Sequence, residues 1–286
     1  MAQDVFALAH ELSRQGRPFA LATVVQTEGS ASARAGSKAI IQADGASRFG
    51  WLGGGCVESL VAREAAESLA DGKTRLVPVD LTDEVAGAGM PCGGRMLVFV
   101  EPVLAPPHIQ VIGHGRIAEA VSRLALVVGF RVSVDGPEAV PERYPGAHVL
   151  VADDADFGKL DVRPDSFVVV TTQHKADDRA IKQALARGAR YIALVASAKR
   201  TGIILGWLRE DGVPEEQLAA VRGPAGLDLG CVTPEEIALS IVSEIVALRR
   251  GGTGRPLREV RCGDATARLP SPQAGAESHV CPSSQG

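Results

Sequence analysis

The stretch Ile109-Gln110-Val111-Ile112-Gly113-His114-Gly115-Arg116-Ile117-Ala118 decides the fold of the second half of the chain. Ile109 to Ile112 reads as a buried strand, and Gly115 to Val127 carries the apolar periodicity of a helix. Gly113, Gly115 and Ala118 fit G-x-G-x-x-G/A between them, which is the context that motif requires. A second strand, Phe130 to Val134, leads into Asp135, twenty residues after Gly115. Glycines let the backbone approach a pyrophosphate, and a helix N-terminus offers it free N–H groups and partial positive charge. An acid at the end of the second strand is placed to accept hydrogen bonds from ribose hydroxyls, as in NAD binding. Gly113, Gly115 and Asp135 are therefore candidate cofactor-binding residues. The same residues admit an architectural reading, in which the glycines allow tight packing and Asp135 opens a turn with Gly136-Pro137.

Working outward, strands are expected at His148 to Val151, Phe167 to Thr171 and Tyr191 to Val195. Helices are expected at Asp178 to Arg187 and Pro234 to Arg249, the latter opened by a capping box, Thr233 with Glu236. Strands alternating with helices imply a parallel sheet covered on both faces. Upstream, Val5, Leu8, Ala9 and Leu12 mark a helix. Phe19 to Val25, Ala39 to Gln42 and Phe49 to Leu52 read as strands, with Asp44-Gly45 as a hairpin signal. A helix from Val57 to Leu69 ends at Gly72, and Arg75 to Leu81 and Met96 to Val100 are further strands. Leu104-Ala105-Pro106-Pro107 punctuates the chain. The expected architecture is α/β: a smaller N-terminal α+β domain over residues 1–103, then a Rossmann-like parallel-sheet domain over 108–252. Residues 263–286 lack periodicity and are expected to be disordered.

Composition narrows the function. Hydrophobic residues are 45% of 286, enough for two cores. The formal charge is −4 and no Lys/Arg run exceeds two residues, which argues against nucleic-acid binding. No apolar run is long enough to span a membrane. Met1-Ala2-Gln3-Asp4 has no basic leader pattern, so the expected location is cytoplasmic. The five cysteines are odd in number, widely spaced and form no Cys-x2-Cys pair. They read as free thiols rather than disulfides or a structural zinc site.

Two cysteines sit beside glycines, in Gly53-Gly54-Gly55-Cys56-Val57-Glu58 and in Met90-Pro91-Cys92-Gly93-Gly94. A helix start stabilises a thiolate at Cys56, although Glu58 opposes it. Successive N–H groups near Cys92 make an anion nest. Gly54, Gly55, Cys56, Cys92, Gly93 and Gly94 are candidate cofactor-binding residues, and the soft sulfurs of Cys56 and Cys92 are candidate metal ligands. The plainer alternative is two small buried cysteines beside structural glycines. His174, with Asp177 and Asp178 nearby, follows a strand end where such sheets bind ligands; it reads equally as a surface histidine. Ser197, Lys199 and Arg200 read as an anion contact or as an ordinary cationic helix start. No catalytic residue is assigned.

These residues resemble the XdhC/CoxI family, accessory proteins of molybdenum hydroxylases such as xanthine dehydrogenase and carbon monoxide dehydrogenase. The resemblance runs from about Phe19 to Gly252. Its carriers are Val25-Gln26-Thr27-Glu28-Gly29-Ser30 with Arg34-Ala35-Gly36, the Gly-Cys segment at 53–58, Cys92-Gly93-Gly94 with Glu101-Pro102, and the Gly113–Ala118 turn. The most distinctive is Gly226-Leu227-Asp228-Leu229-Gly230 with Thr233-Pro234-Glu235-Glu236-Ile237-Ala238 and Ser240-Ile241. Ala33, Ala196-Ser197-Ala198-Lys199-Arg200 and Cys231 depart from the family pattern. The resemblance implies an accessory chaperone rather than an enzyme. Such a protein binds the molybdenum cofactor (molybdopterin), protects it during sulfuration and inserts it into the hydroxylase. The implied partners are the hydroxylase apoenzyme and a cysteine desulfurase; a second copy of the chain is a candidate partner on which the sequence does not decide. This reading requires the loops around 56 and 92 to form one pocket facing the glycine turn. Two alternatives stand beside it: an NAD(P)-dependent oxidoreductase, motivated by the fingerprint but lacking a readable catalytic pair, and a redox- or nucleotide-sensing module.

Overall fold

The computed structural model describes residues 2–45, 48–80, 94–173 and 176–260. The chain divides into two compact units between Ala105 and Pro106.

The first unit contains α1 (Ala2–Arg14), β1 (Phe19–Glu28), β2 (Lys38–Gln42), β3 (Arg48–Gly50), α2 (Gly55–Asp71), β4 (Arg75–Asp80) and β5 (Arg95–Val103). Its strands form an antiparallel sheet in the order β3-β2-β1-β5-β4. The period-2 alternation of β1 divides its residues between two layers. Ala20, Ala22 and Val24 pack with Val57, Val61 and Ala65 of α2. Phe19 packs on the other side with Val5 and Leu12 of α1. Small residues on β1 let α2 lie close to the sheet. Gly72 ends α2 with φ 71, and its N–H returns to the Ser68 carbonyl, the left-handed stop expected of glycine there.

The second unit is a parallel sheet in the order β11-β10-β9-β6-β7-β8. The strands are β6 (His108–Gly113), β7 (Arg131–Asp135), β8 (Val149–Val151), β9 (Phe167–Thr171), β10 (Tyr191–Leu194) and β11 (Val221–Arg222). The helices are α3 (Arg116–Val127), α4 (Asp177–Ala186), α5 (Ala198–Glu210), α6 (Glu215–Leu218) and α7 (Pro234–Arg250). α3 and α7 cover one face around Val111, Val134 and Val169. α4 and α5 cover the other around Ile112, Val170 and Ile192. Coverage on both faces leaves β6 and β9 buried at every position, so neither shows a period-2 alternation of exposure. The expected α/β class and Rossmann-like sheet are present. The two-residue β11 was not expected from the sequence, because so short a strand has no period to read.

Strand order reverses between β6 and β9, and open α/β sheets bind ligands at that reversal. The reversal depends on backbone packing that only glycine permits. Gly113 has φ 122, and a Cβ there would lie 2.4 Å from the Thr171 carbonyl group of β9. A Cβ on Gly136 would lie 2.2 Å from the Gly113 oxygen. Gly129, just after α3, also has a positive φ (85) but has open space around it. Gly113→Ala is therefore expected to cost about 3 kcal/mol or more, strain plus overpacking. Gly129→Ala should cost only about 1 kcal/mol, conformational strain alone. Urea unfolding of the two variants checks the difference; equal losses would contradict the packing argument.

Candidate functional site

The glycine turn sits at the C-terminal end of β6, with Gly113 in register with Thr171. Gly115 is the N-cap of α3, with φ 90, and no side chain caps the helix. The first N–H groups of α3 are thus left without a side-chain acceptor, an arrangement suited to an anion. A Cβ at Gly115 would meet the Gln173 side-chain amide at 2.7 Å, so Gln173 lies directly over the turn. Gln173 and Ala176 both hold left-handed backbone, φ 52 and 73. Two such non-glycine residues in one loop cost of order 1 kcal/mol or more each, a concentration of strain typical of functional loops. Sequence reading missed Gln173, since nothing in its neighbourhood marks a residue that folds back over a glycine. His174 lies outside the described residues. Asp177 is buried, accepting hydrogen bonds from Thr172 and from Arg200, so it is committed to structure.

Asp135 ends β7 on the same edge of the sheet and is 1% exposed. Neither carboxylate oxygen has a hydrogen-bond partner as an ionised group. Burial, and then the charge of Asp154, push its pKa up to about 7. Asp154 stays below the ordinary range: burial raises it, but backbone N–H groups of Lys159 and Gly158 outweigh that. With Asp135 protonated, its hydroxyl donates to Asp154, which gives the buried group the partner it otherwise lacks. The ribose-accepting role read from the sequence requires these enclosed oxygens to turn outward.

Beyond β10 on the same edge lies a cavity of about 430 Å3. Its walls include Val195, Leu227, Asp228, Cys231, Ile237 and Ser240. The loop carrying Leu227 to Cys231 is pinned to α7. Ser240 Oγ donates to the Leu227 carbonyl at 2.6 Å, and Glu244 accepts from Gly226 N–H and the Tyr191 hydroxyl, both at 2.8 Å. A Cβ on Gly226 would collide with Ser240 Oγ at 2.1 Å, so the glycine and the serine define each other. The Thr233–Glu236 capping box expected from the sequence is formed. Cys231 is half-buried, and its thiol donates to the Glu236 carbonyl at 3.1 Å. Sequence reading gave Cys231 and Asp228 no site role; the spacing that carried the resemblance was in fact the outline of a cavity. The start of α7 is linked to the glycine turn by Arg116, whose Nη2 lies 3.0 Å from Glu235.

In the first unit, Gly54 is the N-cap of α2 and Gly55 and Cys56 begin the helix. Arg48 lies 4.0 Å from Glu58, which offsets the acid that would oppose a thiolate there. Cys92 and Gly93 lie outside the described residues, as does the pocket expected between the two cysteine loops. The described glycines flanking those loops converge. A Cβ at Gly53 would lie 2.5 Å from Ser32 Oγ, and one at Gly94 would lie 2.6 Å from the Ser30 oxygen. Gly53 and Gly94 therefore both adjoin the turn at 28–32. Among the described residues no group of three or more His, Cys, Asp or Glu side chains is placed to hold a metal ion. Nor is any described helix long and apolar enough to cross a membrane.

Family comparison follows this division. A profile of the XdhC Rossmann domain matches residues 109–245, and one of the XdhC and CoxI family matches residues 12–80. The chain belongs to the XdhC/CoxI family. Escherichia coli K12 YqeB, an uncharacterized protein, is 33% identical over 88% of the chain, which spans only 47% of YqeB. A Bacillus subtilis 168 protein, named as a probable xanthine dehydrogenase component, is 24% identical, over 80% of this chain and 93% of that protein. The E. coli K12 molybdenum cofactor insertion chaperone PaoD is 24% identical, over 86% of this chain and 88% of its own length.

The buried acid of this XdhC-family Rossmann unit predicts a pH effect. An aspartate is ionised above about pH 4 when unfolded. Asp135 keeps its proton up to about pH 7 when folded. The folded state thus holds an extra proton across that window. Its stabilisation is full below the unfolded pKa and is lost as pH rises through 7. Asp135→Asn should remove this slope, matching the parent near pH 4 and exceeding its stability at pH 8. Urea midpoints measured across the window decide the matter; parallel curves would refute it.

Proposed function

We propose that this protein is a maturation chaperone of a molybdenum hydroxylase. It binds the molybdenum cofactor as cargo, shields it while the terminal sulfur ligand is installed, and delivers it to the apoenzyme. Family membership and the named roles of PaoD and the B. subtilis relative support this reading. The observation that carries it is the pairing, on one sheet edge, of an uncapped glycine turn with a cavity of ring-system size.

Molybdopterin presents a phosphate and a flat heterocycle, so it needs an anion cradle beside a largely apolar slot. The turn at Gly113 and Gly115, with the first amides of α3, suits the phosphate. The cavity bordered by Val195, Leu227 and Ile237 suits the ring system. Cys56 and Cys92 are proposed as the soft ligands, toward molybdenum or as carriers of persulfide sulfur from a cysteine desulfurase. The work is assigned to the cytoplasm. The NAD(P)-dependent alternative draws on the same glycine turn, but it needs Asp135 to reach a ribose, and both of its oxygens are enclosed.

The test is to purify the protein from cells with and without molybdopterin synthesis and identify small molecules by mass spectrometry. A pterin should copurify only from the competent cells. Gly115→Ala should lower its content about tenfold, the scale of lost charged hydrogen bonds. Cys56→Ser or Cys92→Ser should impair hydroxylase activation. Absence of a pterin together with an unchanged level of hydroxylase activation would defeat the proposal, and calorimetric binding of NAD or NADP would favour the alternative.

A further inference from the structure

α5 buries Thr201, Ile204 and Leu208 against the sheet. Its opposite face is unusual for a solvent-exposed helix. Ile203 and Trp207 are 43% and 49% exposed. Gly202 and Gly206 lie beside them with nothing within 4 Å of the position a Cβ would take. Glycine is a poor helix former, and neither glycine here is needed for a tight contact within the unit or for a left-handed turn. Lys199 and Glu210 close the two ends of the same face, eleven residues apart and thus about 16 Å along the axis. Each charge is at the wrong end for its own helix: a cation in the first turn, an anion in the last.

We infer that this face docks a second copy of the chain through an antiparallel α5–α5 contact. The face is its own complement under a two-fold axis. In such a pair Lys199 meets the partner's Glu210, and each charge moves beside the helix end that attracts it. Ile203 enters the space above the partner's Gly206, and Trp207 that above the partner's Gly202. Knobs and holes exchange roles across the axis, so one surface serves both sides. Charge complementarity selects the occupant: an unrelated helix has no reason to carry this spacing reversed. A single helix pair is a small interface, so the expected association is weak, roughly 10–100 μM.

Sedimentation velocity of the full chain from about 1 μM to about 300 μM tests this. The chain should dimerise across that range. Gly206→Leu fills the hole while improving helix propensity, so it should raise the dissociation constant at least about tenfold without lowering the unfolding temperature. Lys199→Glu and Glu210→Lys should each weaken association about threefold, and the double variant should restore it by exchanging both charges. A chain that stays monomeric throughout overturns the inference. So does a dimer indifferent to Gly206→Leu, or one not recovered by the double charge exchange.

Discussion

The second unit depends on the contact between Gly113 and its neighbours. The backbone of β6 must pass Thr171 on one side and Gly136 on the other at distances that leave no room for a Cβ. That proximity brings the ends of the three central strands, β7, β6 and β9, together at the point where the chain changes direction across the sheet. It also holds α3 so that its first amides open onto the edge where Gln173 and the cavity lie. Architectural and ligand-binding readings of the glycine motif are not rivals here: the packing that requires glycine creates the bare backbone.

A second set of interactions fixes the far side of the same edge. Tyr191 is nearly enclosed at the start of β10, and its hydroxyl has a partner only because Glu244 reaches back from α7. Glu244 also takes the Gly226 N–H. One carboxylate therefore ties the sheet, the loop after β11 and the last helix into a single network, where an unmet donor would be costly. The loop that forms the cavity wall is thus held from below, and Asp228 to Cys231 line the cavity above that network.

Much of this was readable beforehand. Long periodic segments such as α2, α3 and α7 lie within a residue or two of expectation, because burial against a sheet imposes the period. The capping box at Thr233 is local chemistry and needed no tertiary knowledge. What was not readable arises from side chains far apart in sequence. Asp154 neighbours Asp135 only because β7 and β8 pair, so a residue expected to face a ribose emerges as a buried acid. Gln173 covers Gly115 only because β9 lies beside β6. Cys231, flanked by the most distinctive family segment but given no site role, reaches the cavity because the loop is drawn down onto Ser240. Gly53 and Gly94 were recognised as parts of glycine-rich turns, but their shared approach to residues 28–32 was not.

Among the described residues, each core is assembled wholly on its own side of Ala105: α1, α2 and the antiparallel strands on one, the parallel sheet and its helices on the other. Evolution can therefore treat the halves as separable modules, recombined, duplicated or fused elsewhere without rewriting the packing of either. A relative about twice as long shares this stretch as only part of its length, an arrangement such modularity permits.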